Sequence, residues 1–557
     1  MLRLAPIVTV TLFLAPIAAG LIFTLLPAFG YLPAIGGTAL SLQPWRDLLT
    51  YPGFMTALRL TLMSGFLTTL LSLALAIGIC ALAHGRSLQR RFEQLVTPLL
   101  AAPHAAVAIG FAFLVAPSGW LIRLVSPELT GWQRPPDLVT IQDPLGLAFV
   151  AGLLLKEVPY LVLMISGAAT QVPVRQSLAA SRAMGYRGSA AWIKTVLPQI
   201  YPQIRLPVYA VLAFSLSVVE VGLILAPGNP PPLSILAARW FADYDLTLYF
   251  PAAAAATLQL ALVILSIAVW RLGEVAIGAL GRMWIAQGHR RGPAGAMVSV
   301  SAGLAVLTSG LGLLALAGMA VWSVASAWRF PEKLPERWSL QNWTVNADRV
   351  LAPAVTTAAI AIAATLLAIG LALACLENEQ RSRRRPGPSV LWLLYLPLLV
   401  PQIAFLFGAQ LILVRLDLDG TFLAVTWAHL LFVLPYVFLS LADPWRSLDP
   451  RFARIAAGLG ASKRCVFLRI KLPMLLRPLL IALAIGFAVS VGQYLPTIFA
   501  GAGRVATLTT EAVTLSSGGD RRIVGVFAFL QSALPLIVYG AALAVPALVY
   551  RRRRGMG

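Results

Sequence analysis

The sequence predicts an all-α membrane protein whose twelve transmembrane helices form two parallel six-span repeats. Of its 557 residues, 59% are hydrophobic and only 11% are charged, and the mean hydropathy of +0.83 is too high for a soluble domain. Twelve apolar runs are long enough to cross a bilayer, and several motifs recur in the same order in both halves. Because each half has an even number of spans, the repeats are expected to be parallel and related by an axis along the membrane normal.

The first predicted span is the N-terminal apolar run. Small residues near Ala18 resemble a signal-peptide cleavage site, but a run of about 25 apolar residues is longer than the hydrophobic region of a signal peptide, so we expect it to stay uncleaved. The other predicted spans are 57–83, 97–116, 143–169, 205–227, 248–270, 297–327, 352–376, 389–414, 420–441, 475–500 and 523–550.

The basic residues predict the orientation. Loops on one side of the predicted spans carry 29 Lys and Arg and those on the other side carry 13, while Lys156 lies within a span. Basic loops stay in the cytoplasm, where each Lys or Arg gains on the order of 1 kcal/mol beside an anionic leaflet. Both termini are therefore expected in the cytoplasm, and the net charge of +22 indicates membrane topology rather than nucleic-acid binding.

Internal similarity predicts the domain boundaries. Pro103 and Gly110 in the third span correspond to Pro401 and Gly408 in the ninth, with the same spacing. A Val-Pro-Tyr sequence in the first half likewise corresponds to a Leu-Pro-Tyr sequence in the second. We predict a first six-span domain at 1–285, a cytoplasmic linker at 286–293 and a second six-span domain at 294–557.

One stretch follows the fourth span of each half, at 175–198 and 451–473. In both copies 13 positions separate a glycine from the proline of a Leu-Pro pair, from Gly185 to Pro198 and from Gly460 to Pro473. Glycine permits a turn in which a Cβ would be strained, and proline is tolerated in the first turn of a helix. Each stretch therefore predicts a short helix, a glycine turn, a second short helix and the start of the next span.

These two stretches resemble the cytoplasmic coupling segment, or EAA motif, of permease subunits of binding-protein-dependent ABC importers. We call them the first coupling segment (175–198) and the second coupling segment (451–473). The motif's acidic residue is replaced by Ala179 and Arg454, which indicates a divergent branch. The residues that match the motif, and that the resemblance implies contact an ATPase, are Ala180, Arg182, Gly185, Leu197 and Pro198 in the first segment and Ala456, Leu459, Gly460, Leu472 and Pro473 in the second.

The whole chain is similar to fused permeases of the ferric-iron and thiamine importers. Its PAFGYLPAIGG, APSGW, KEVPY and WFADYDL stretches resemble the YnjC-like thiamine permease branch. The resemblance implies the MetI-like permease fold, two copies of an ABC ATPase on the cytoplasmic side and a periplasmic substrate-binding protein. It also implies that ATP and Mg²⁺ bind in the ATPase and that the permease binds no cofactor. The implied cargo is a small solute, such as thiamine, a related molecule or ferric iron, and the implied location is the bacterial inner membrane.

Ionisable and polar residues within the spans are candidates for the translocation path. Glu220 lies about 15 residues into its span, where a charge costs roughly 2.5 to 3.5 kcal/mol unless it faces water or a partner. We expect it to face the domain interface, and we expect Lys156 or Glu157 to pair with the fifth span through Glu220. A buried ion pair that only orders the bundle is the structural alternative. The candidates are Lys156, Glu157, Ser217, Glu220, Ser490 and Gln493.

Other functions are disfavoured by what the sequence lacks. It contains no GxxxxGK[ST] motif, no His/Cys/carboxylate cluster with metal-ligand spacing and no nucleophile elbow, so neither catalytic nor metal-binding residues are predicted and the chain is expected not to be an enzyme. The four histidines are interpreted as structural or surface residues, and tryptophans of the outer loops, including Trp120 and Trp240, as interfacial anchors or part of a docking surface for a binding protein. A secondary transporter of the major facilitator type remains the alternative because it too has parallel six-span repeats.

Overall fold

The computed structural model describes residues 2–84, 87–186, 188–288, 294–382, 387 and 393–550. Its α-helices are α1 (Ala5–Ala28), α2 (Gln43–Thr50), α3 (Phe54–Ala83), α4 (Ser87–Ala101), α5 (His104–Val115), α6 (Trp120–Val125), α7 (Leu147–Thr170), α8 (Val174–Ala183), α9 (Gly188–Ala191), α10 (Leu197–Ser217), α11 (Glu220–Leu225), α12 (Leu233–Phe241), α13 (Tyr249–Ala286), α14 (Ala294–Val324), α15 (Gln341–Val345), α16 (Ala347–Ser382), α17 (Leu396–Leu399), α18 (Gln402–Arg415), α19 (Phe422–Ser447), α20 (Pro450–Gly458), α21 (Lys463–Val466), α22 (Leu472–Met474), α23 (Leu476–Val491), α24 (Leu495–Gly501), α25 (Leu508–Ser516) and α26 (Arg521–Val549).

Short elements complete the chain. There are 3₁₀ turns at Leu2–Leu4, Pro33–Ile35 and Leu246–Leu248, π-helical turns at Trp192–Val196 and Phe467–Lys471, and an antiparallel strand pair, β1 (Ala325–Ala327) with β2 (Arg337–Trp338). The predicted all-helical class is confirmed. Residues 289–293 of the predicted linker lie outside the described residues.

Among the described residues, nine helical segments are long and apolar enough to cross a membrane. A tenth span is obtained if Lys463–Met474 and Leu476–Val491, which meet at 75°, are counted as one. The protein is therefore polytopic, as predicted, while the number twelve stays a prediction. The count of nine or ten is lower than twelve because some of the predicted spans are divided into shorter helices.

The interruptions fall at matched positions of the two halves. The third predicted span is divided between α4 and α5 at Ala102–Pro103, and the ninth between α17 and α18 at Val400–Pro401. Proline cannot donate a backbone hydrogen bond, which ends the preceding helix. The fifth span is divided between α10 and α11 and the eleventh between α23 and α24. Backbone polar groups left free at such breaks are tolerated in a membrane only where protein or water satisfies them.

The first helix of each half packs against the opposite half. Helix α1 lies on α18 so closely that a Cβ added to Gly408 would come within 2.0 Å of the carbonyl oxygen of Gly20, and Thr24 accepts a hydrogen bond from the Gly408 amide at 3.0 Å. Helix α14 lies on α5 in the same way, where a Cβ on Gly110 would come within 2.4 Å of the Ala315 carbonyl oxygen. The matched glycines are therefore the two crossing points, where small residues allow helices to approach closely.

Apolar side chains join the two halves. The largest buried cluster among the described residues contains side chains from helices of both repeats. In it, the ring of Phe241 on α12 stacks on that of Phe407 on α18 with centroids 4.1 Å apart, and the edge of Phe499 on α24 meets Phe241 at 5.9 Å. The halves are thus packed together by apolar burial as well as by their exchanged first helices.

Two of the loops that are predicted to lie outside are held together by an arginine and a group of aromatic rings. Arg123 donates to the carbonyl oxygens of Arg329 at 2.6 Å and Ser118 at 3.0 Å, and its guanidinium lies 5.0 Å from the centre of the Trp328 ring. Trp120 packs edge-on against Trp328 at 6.0 Å.

Tryptophans of the outer loops therefore pack within the protein. Trp240 is 9% exposed and meets Tyr51 edge-on at 5.0 Å. Both rings contact aromatic side chains of the chain itself, and anchoring in the bilayer interface by Trp120 and Trp240 stays a prediction.

Candidate functional site

The first coupling segment has the predicted shape. Helix α8 ends at Ala183, and the chain turns at Gly185, whose φ of +87° strains any residue with a Cβ. Helix α9 follows and continues through the π-helical turn Trp192–Val196 into α10. The Ser181 hydroxyl lies 3.2 Å from that of Thr195, which joins the two short helices.

The second coupling segment repeats this shape. Helix α20 ends at Gly458, the turn is at Gly460 with a φ of +85°, and α21 continues through a π-helical turn into α22. Both short helices carry a side-chain cap, since Asp449 accepts from the Arg451 amide at 2.8 Å and Ser462 accepts from the Cys465 amide at 3.2 Å. The backbone is therefore duplicated although the sequences differ at most positions.

Each segment presents a large apolar side chain to solvent immediately before its glycine. Met184 is 63% exposed and Leu459 is 83% exposed. The other predicted coupling residues are mixed: Ala180, Arg182, Gly185, Gly460, Pro198 and Pro473 are exposed, Leu197 and Leu472 are half-buried, and Ala456 is buried. An exposed apolar tip beside basic residues has the form of a protein-docking surface.

The two segments are attached to the membrane helices by different contacts. In the second, the buried Lys471 amine donates to Glu377 at 2.6 Å and to Gln380 at 2.7 Å, both at the end of α16. In the first, the Lys194 amine lies 4.1 Å from the centre of the Trp284 ring and donates to the Trp284 carbonyl oxygen at 3.3 Å, at the end of α13. Burial lowers the pKa of Lys194.

The charged residues of α7 form a cluster with the break in the third span. Lys156 is 7% exposed, and its amine donates to the carbonyl oxygens of Leu100, at 3.3 Å, and of Ala102. Leu100 lies in the last turn of α4 and Ala102 directly after it, where the end of a helix leaves acceptors without partners. Glu157 is 5% exposed and lies 3.4 Å from Nε2 of His104, the first residue of α5.

This arrangement corrects the predicted pairing. We expected Lys156 or Glu157 to contact the fifth span through Glu220, but the partners that the described residues supply come from the third span. The reason is the break at Pro103, which exposes backbone acceptors and places a histidine beside α7. The sequence alone indicates a structural or surface role for His104. The feature that could have identified it as part of the cluster is its position directly after Pro103, a proline that is matched in both halves.

Two matched tyrosines lie near the cluster, one from each half. Tyr160 and Tyr436, which end the repeated Pro-Tyr motif, are close to each other and to Glu157. Glu220 is 9% exposed at the start of α11 and lies near Tyr494 of the second half. Both carboxyl groups are therefore buried near a tyrosine of the second half, and a role of Glu220 in the path stays a prediction.

The remaining candidates make local contacts. Ser217 donates to the Ala213 carbonyl oxygen at 2.7 Å, and Gln493 donates to that of Val489 at 3.1 Å. Ser490 lies 2.8 Å from Nδ1 of the buried His429, whose Nε2 is 2.9 Å from the Thr497 hydroxyl. His429 thus joins both sides of the break between α23 and α24, a structural role for that histidine.

Known proteins that are similar to the chain include permease subunits of three transport systems. The inner membrane ABC transporter permease protein YnjC of Escherichia coli (strain K12) is 32% identical over 523 residues, which cover 93% of this chain and 93% of YnjC. The molybdenum transport system permease protein ModB of Mycobacterium tuberculosis (strain ATCC 25618 / H37Rv) is 29% identical over 227 residues, 38% of this chain and 84% of ModB. The spermidine/putrescine transport system permease protein PotC of Haemophilus influenzae is 25% identical over 200 residues, 36% of this chain and 77% of PotC. No protein-family model matches the chain.

The repeated coupling segments and these similarities define a membrane permease of the ABC-transporter class. The chain belongs to that family. Because the similarity to YnjC extends along nearly the full length of both proteins, the predicted resemblance to a fused permease is confirmed.

Proposed function

We propose that the protein is the transmembrane subunit of an ATP-driven importer in the bacterial inner membrane, with two copies of an ABC ATPase on its two coupling segments. The observation that carries this proposal is the repeated helix–turn–helix, with φ values of +87° at Gly185 and +85° at Gly460 and an exposed apolar residue before each glycine. A motor built from two equal ATPase subunits requires two equal attachment points.

The proposal includes the MetI-like fold, with twelve spans in two parallel repeats and both termini in the cytoplasm. The paired breaks at Pro103 and Pro401 support the repeats, because they interrupt the third predicted span and the ninth at the same place. ModB aligns over 84% of its own length with only 38% of this chain, as expected if the chain holds two permease units at 1–285 and 294–557. The charge difference between the two sets of loops supports the orientation.

Transport would follow from a rocking motion of the two halves. ATP and Mg²⁺ would bind in the ATPases, whose closure would push the coupling segments together. Each segment continues directly into a membrane helix, α10 in the first half and the bent pair of α22 and α23 in the second. A displacement of the segments would therefore be passed to the helices whose breaks lie between the halves, and the path would open to a periplasmic binding protein.

The path would be lined by the candidates at the interface of the halves. Glu157 and Glu220 are buried there near tyrosines from both halves. The other candidates lie on or beside the broken helices: Lys156, Ser217, Ser490 and Gln493. Broken helices near the middle of the membrane are where transporters bind their solutes. Carboxylates and aromatic rings favour a solute with positive charge, such as thiamine, a related molecule or ferric iron.

The docking role is tested by replacing the turn glycines. Gly185→Pro and Gly460→Pro each fix φ near −65°, which is incompatible with the turn, so we expect at least a tenfold loss of ATPase co-purified with the permease. Gly503→Pro is the matched control, because Gly503 has a φ of +71° in a loop predicted to lie outside. Equal ATPase recovery for all three variants, at equal amounts in the membrane, would contradict the docking role.

A further inference from the structure

Breaks in three of the predicted spans meet around His104. The ring of His104, the first residue of α5, lies against that of Phe214 with centroids 4.5 Å apart, and Phe214 is in the last turn of α10, which ends at Ser217. From the second half, a Cβ added to Gly492 would lie 3.6 Å from the Cβ of Pro103. Gly492 directly follows α23. The interruptions of the third, fifth and eleventh spans are therefore adjacent.

The residues at this meeting point line a space between the halves. The His104 side chain is 33% exposed although it is packed between α7 and α10. Phe214 and Gly492 are partly exposed too, and so are Tyr160 and Tyr436, which are close to each other and come from opposite halves. Side chains that are enclosed by helices and stay partly exposed face an inner space, and interrupted helices are tolerated at membrane depth where they line such a space.

The charge beside His104 comes from α7. Glu157 Oε1 lies 3.4 Å from Nε2 of the imidazole, and the Glu157 side chain is 6% exposed. The amine of Lys156 is directed at carbonyl oxygens at the end of α4. Glu220 adds a second buried carboxyl group, near Tyr494 of the second half. Two carboxylates and one ammonium group leave a negative balance, which concentrates cations in a space with apolar walls.

Phe214 connects this point to the first coupling segment. The segment continues through its π-helical turn into α10, and Phe214 lies on α10. His104 lies on a different helix, α5, so a displacement of α10 moves the two rings relative to each other. Rings in contact leave no room for a solute between them, whereas separated rings would.

We propose that His104 is a specificity-determining residue of the solute path, that Glu157 gives this point a preference for small cations, and that Phe214 closes the path against His104. The proposal rests on the proposed transport function. It names the side chain through which the first coupling segment would open the path.

Chemical modification of a cysteine at this position tests the proposal with probes of known charge. His104→Cys is introduced into the full-length permease after replacement of Cys80, Cys375 and Cys465, and the purified protein is treated with methanethiosulfonate reagents that carry a trimethylammonium or a sulfonate group. The ratio of the two rates is divided by the ratio at Met184→Cys, because Met184 is exposed to solvent and reports intrinsic reactivity. We expect the cationic reagent to be favoured on the order of tenfold.

Glu157→Gln should abolish this preference, because it removes the charge and keeps the size of the side chain. Gln402→Cys is the matched control, since Gln402 follows Pro401 in the second half, where Val433 occupies the position of Glu157. It should show a smaller preference. No preference at His104→Cys, a preference that Glu157→Gln leaves unchanged, or an equal preference at Gln402→Cys would overturn the proposal.

The closing role of Phe214 has its own test. Phe214→Ala should raise the rates of both reagents at His104→Cys by a similar factor, because it removes the ring that lies against this position. Phe214→Leu, which keeps an apolar side chain, should raise them less and serves as the second variant if the first elutes as an aggregate. Unchanged rates in the variants that elute as wild type does would contradict the closing role.

The outcome is distinguishable from a failure of the proposed function. Recovery of the ATPase with the turn-glycine variants tests docking and needs no access to His104. If docking behaves as proposed and the cysteine shows no cation preference, only this inference fails. If the wild-type permease recovers no ATPase, the proposed function fails whatever the cysteine shows.

Discussion

The two halves share their interruptions but differ in the chemistry beside them. The first half places Lys156 and Glu157 directly before its Val-Pro-Tyr motif, and there the charged side chains meet the broken third span. At the same positions before Leu-Pro-Tyr, the second half has Phe432 and Val433, both buried among apolar side chains. The duplicated backbone therefore does not imply a duplicated polar site.

The coupling segments show the opposite relation. Their sequences differ in charge and capping, yet the turn glycines have φ values of +87° and +85°, and a π-helical turn follows at the same distance in both. Under the proposed function, a surface that docks two equal ATPase subunits would be constrained in shape, whereas a path for one solute would be free to become asymmetric. The two halves differ in the way that this proposal expects.

The largest expected effect is at Lys156. Lys156→Met removes the amine that donates to the carbonyl oxygens of Leu100 and Ala102 and leaves both acceptors buried without that donor. A buried acceptor that loses its donor costs about 1–3 kcal/mol, so the free energy of unfolding should fall by about 2–6 kcal/mol for the two. Thermal unfolding of the purified protein measures it, with the amount in the membrane recorded in parallel.

Phe432→Met is the control at the matched position of the second half. An apolar replacement of similar volume should cost less than about 1.5 kcal/mol. If the two variants unfold at the same temperature, the polar cluster contributes no more to stability than its apolar counterpart does. The expected difference in stability between the two halves would then be contradicted.

A smaller effect is expected at Lys471. Lys471→Met removes its hydrogen bonds to Glu377 and Gln380, but Glu377 keeps Arg381 at 2.6 Å, so the loss should be about 1–3 kcal/mol. Val196→Met, at the equivalent position of the first segment, should change stability by less. Unfolding in urea, followed by circular dichroism, compares them; a larger loss for the valine variant would show that Lys471 does not anchor its segment.

Local features were predictable from the sequence and distant contacts were not. The helix–turn–helix could be predicted because Gly185 and Gly460 act on their own turns and because the spacing to a proline occurs twice. The partners of Lys156 could not, since they are carbonyls freed by a break 54 and 56 residues earlier in the chain.

The packing of the first helix of each half could not be predicted either. Gly110 and Gly408 occupy matched positions in the sequence, but no neighbouring residue indicates that α14 crosses at Gly110 and α1 at Gly408. The ring partners of Trp120 and Trp240 could not be predicted for the same reason, since Trp328 and Tyr51 are far away in the sequence. In a membrane, helices associate by the fit of their surfaces, because the lipid is as apolar as the buried side chains. The sequence therefore shows no hydrophobic pattern that indicates which helices are in contact.

The central claim is that the two coupling segments face the same side of the membrane. It is tested most directly with single cysteines at the exposed positions, Met184→Cys and Leu459→Cys, in a protein whose Cys80, Cys375 and Cys465 have been replaced. A thiol reagent that cannot cross membranes should label both positions in inside-out vesicles and neither in intact spheroplasts, and an added ATPase partner should protect both. Labelling of one position from each side of the membrane would contradict the account.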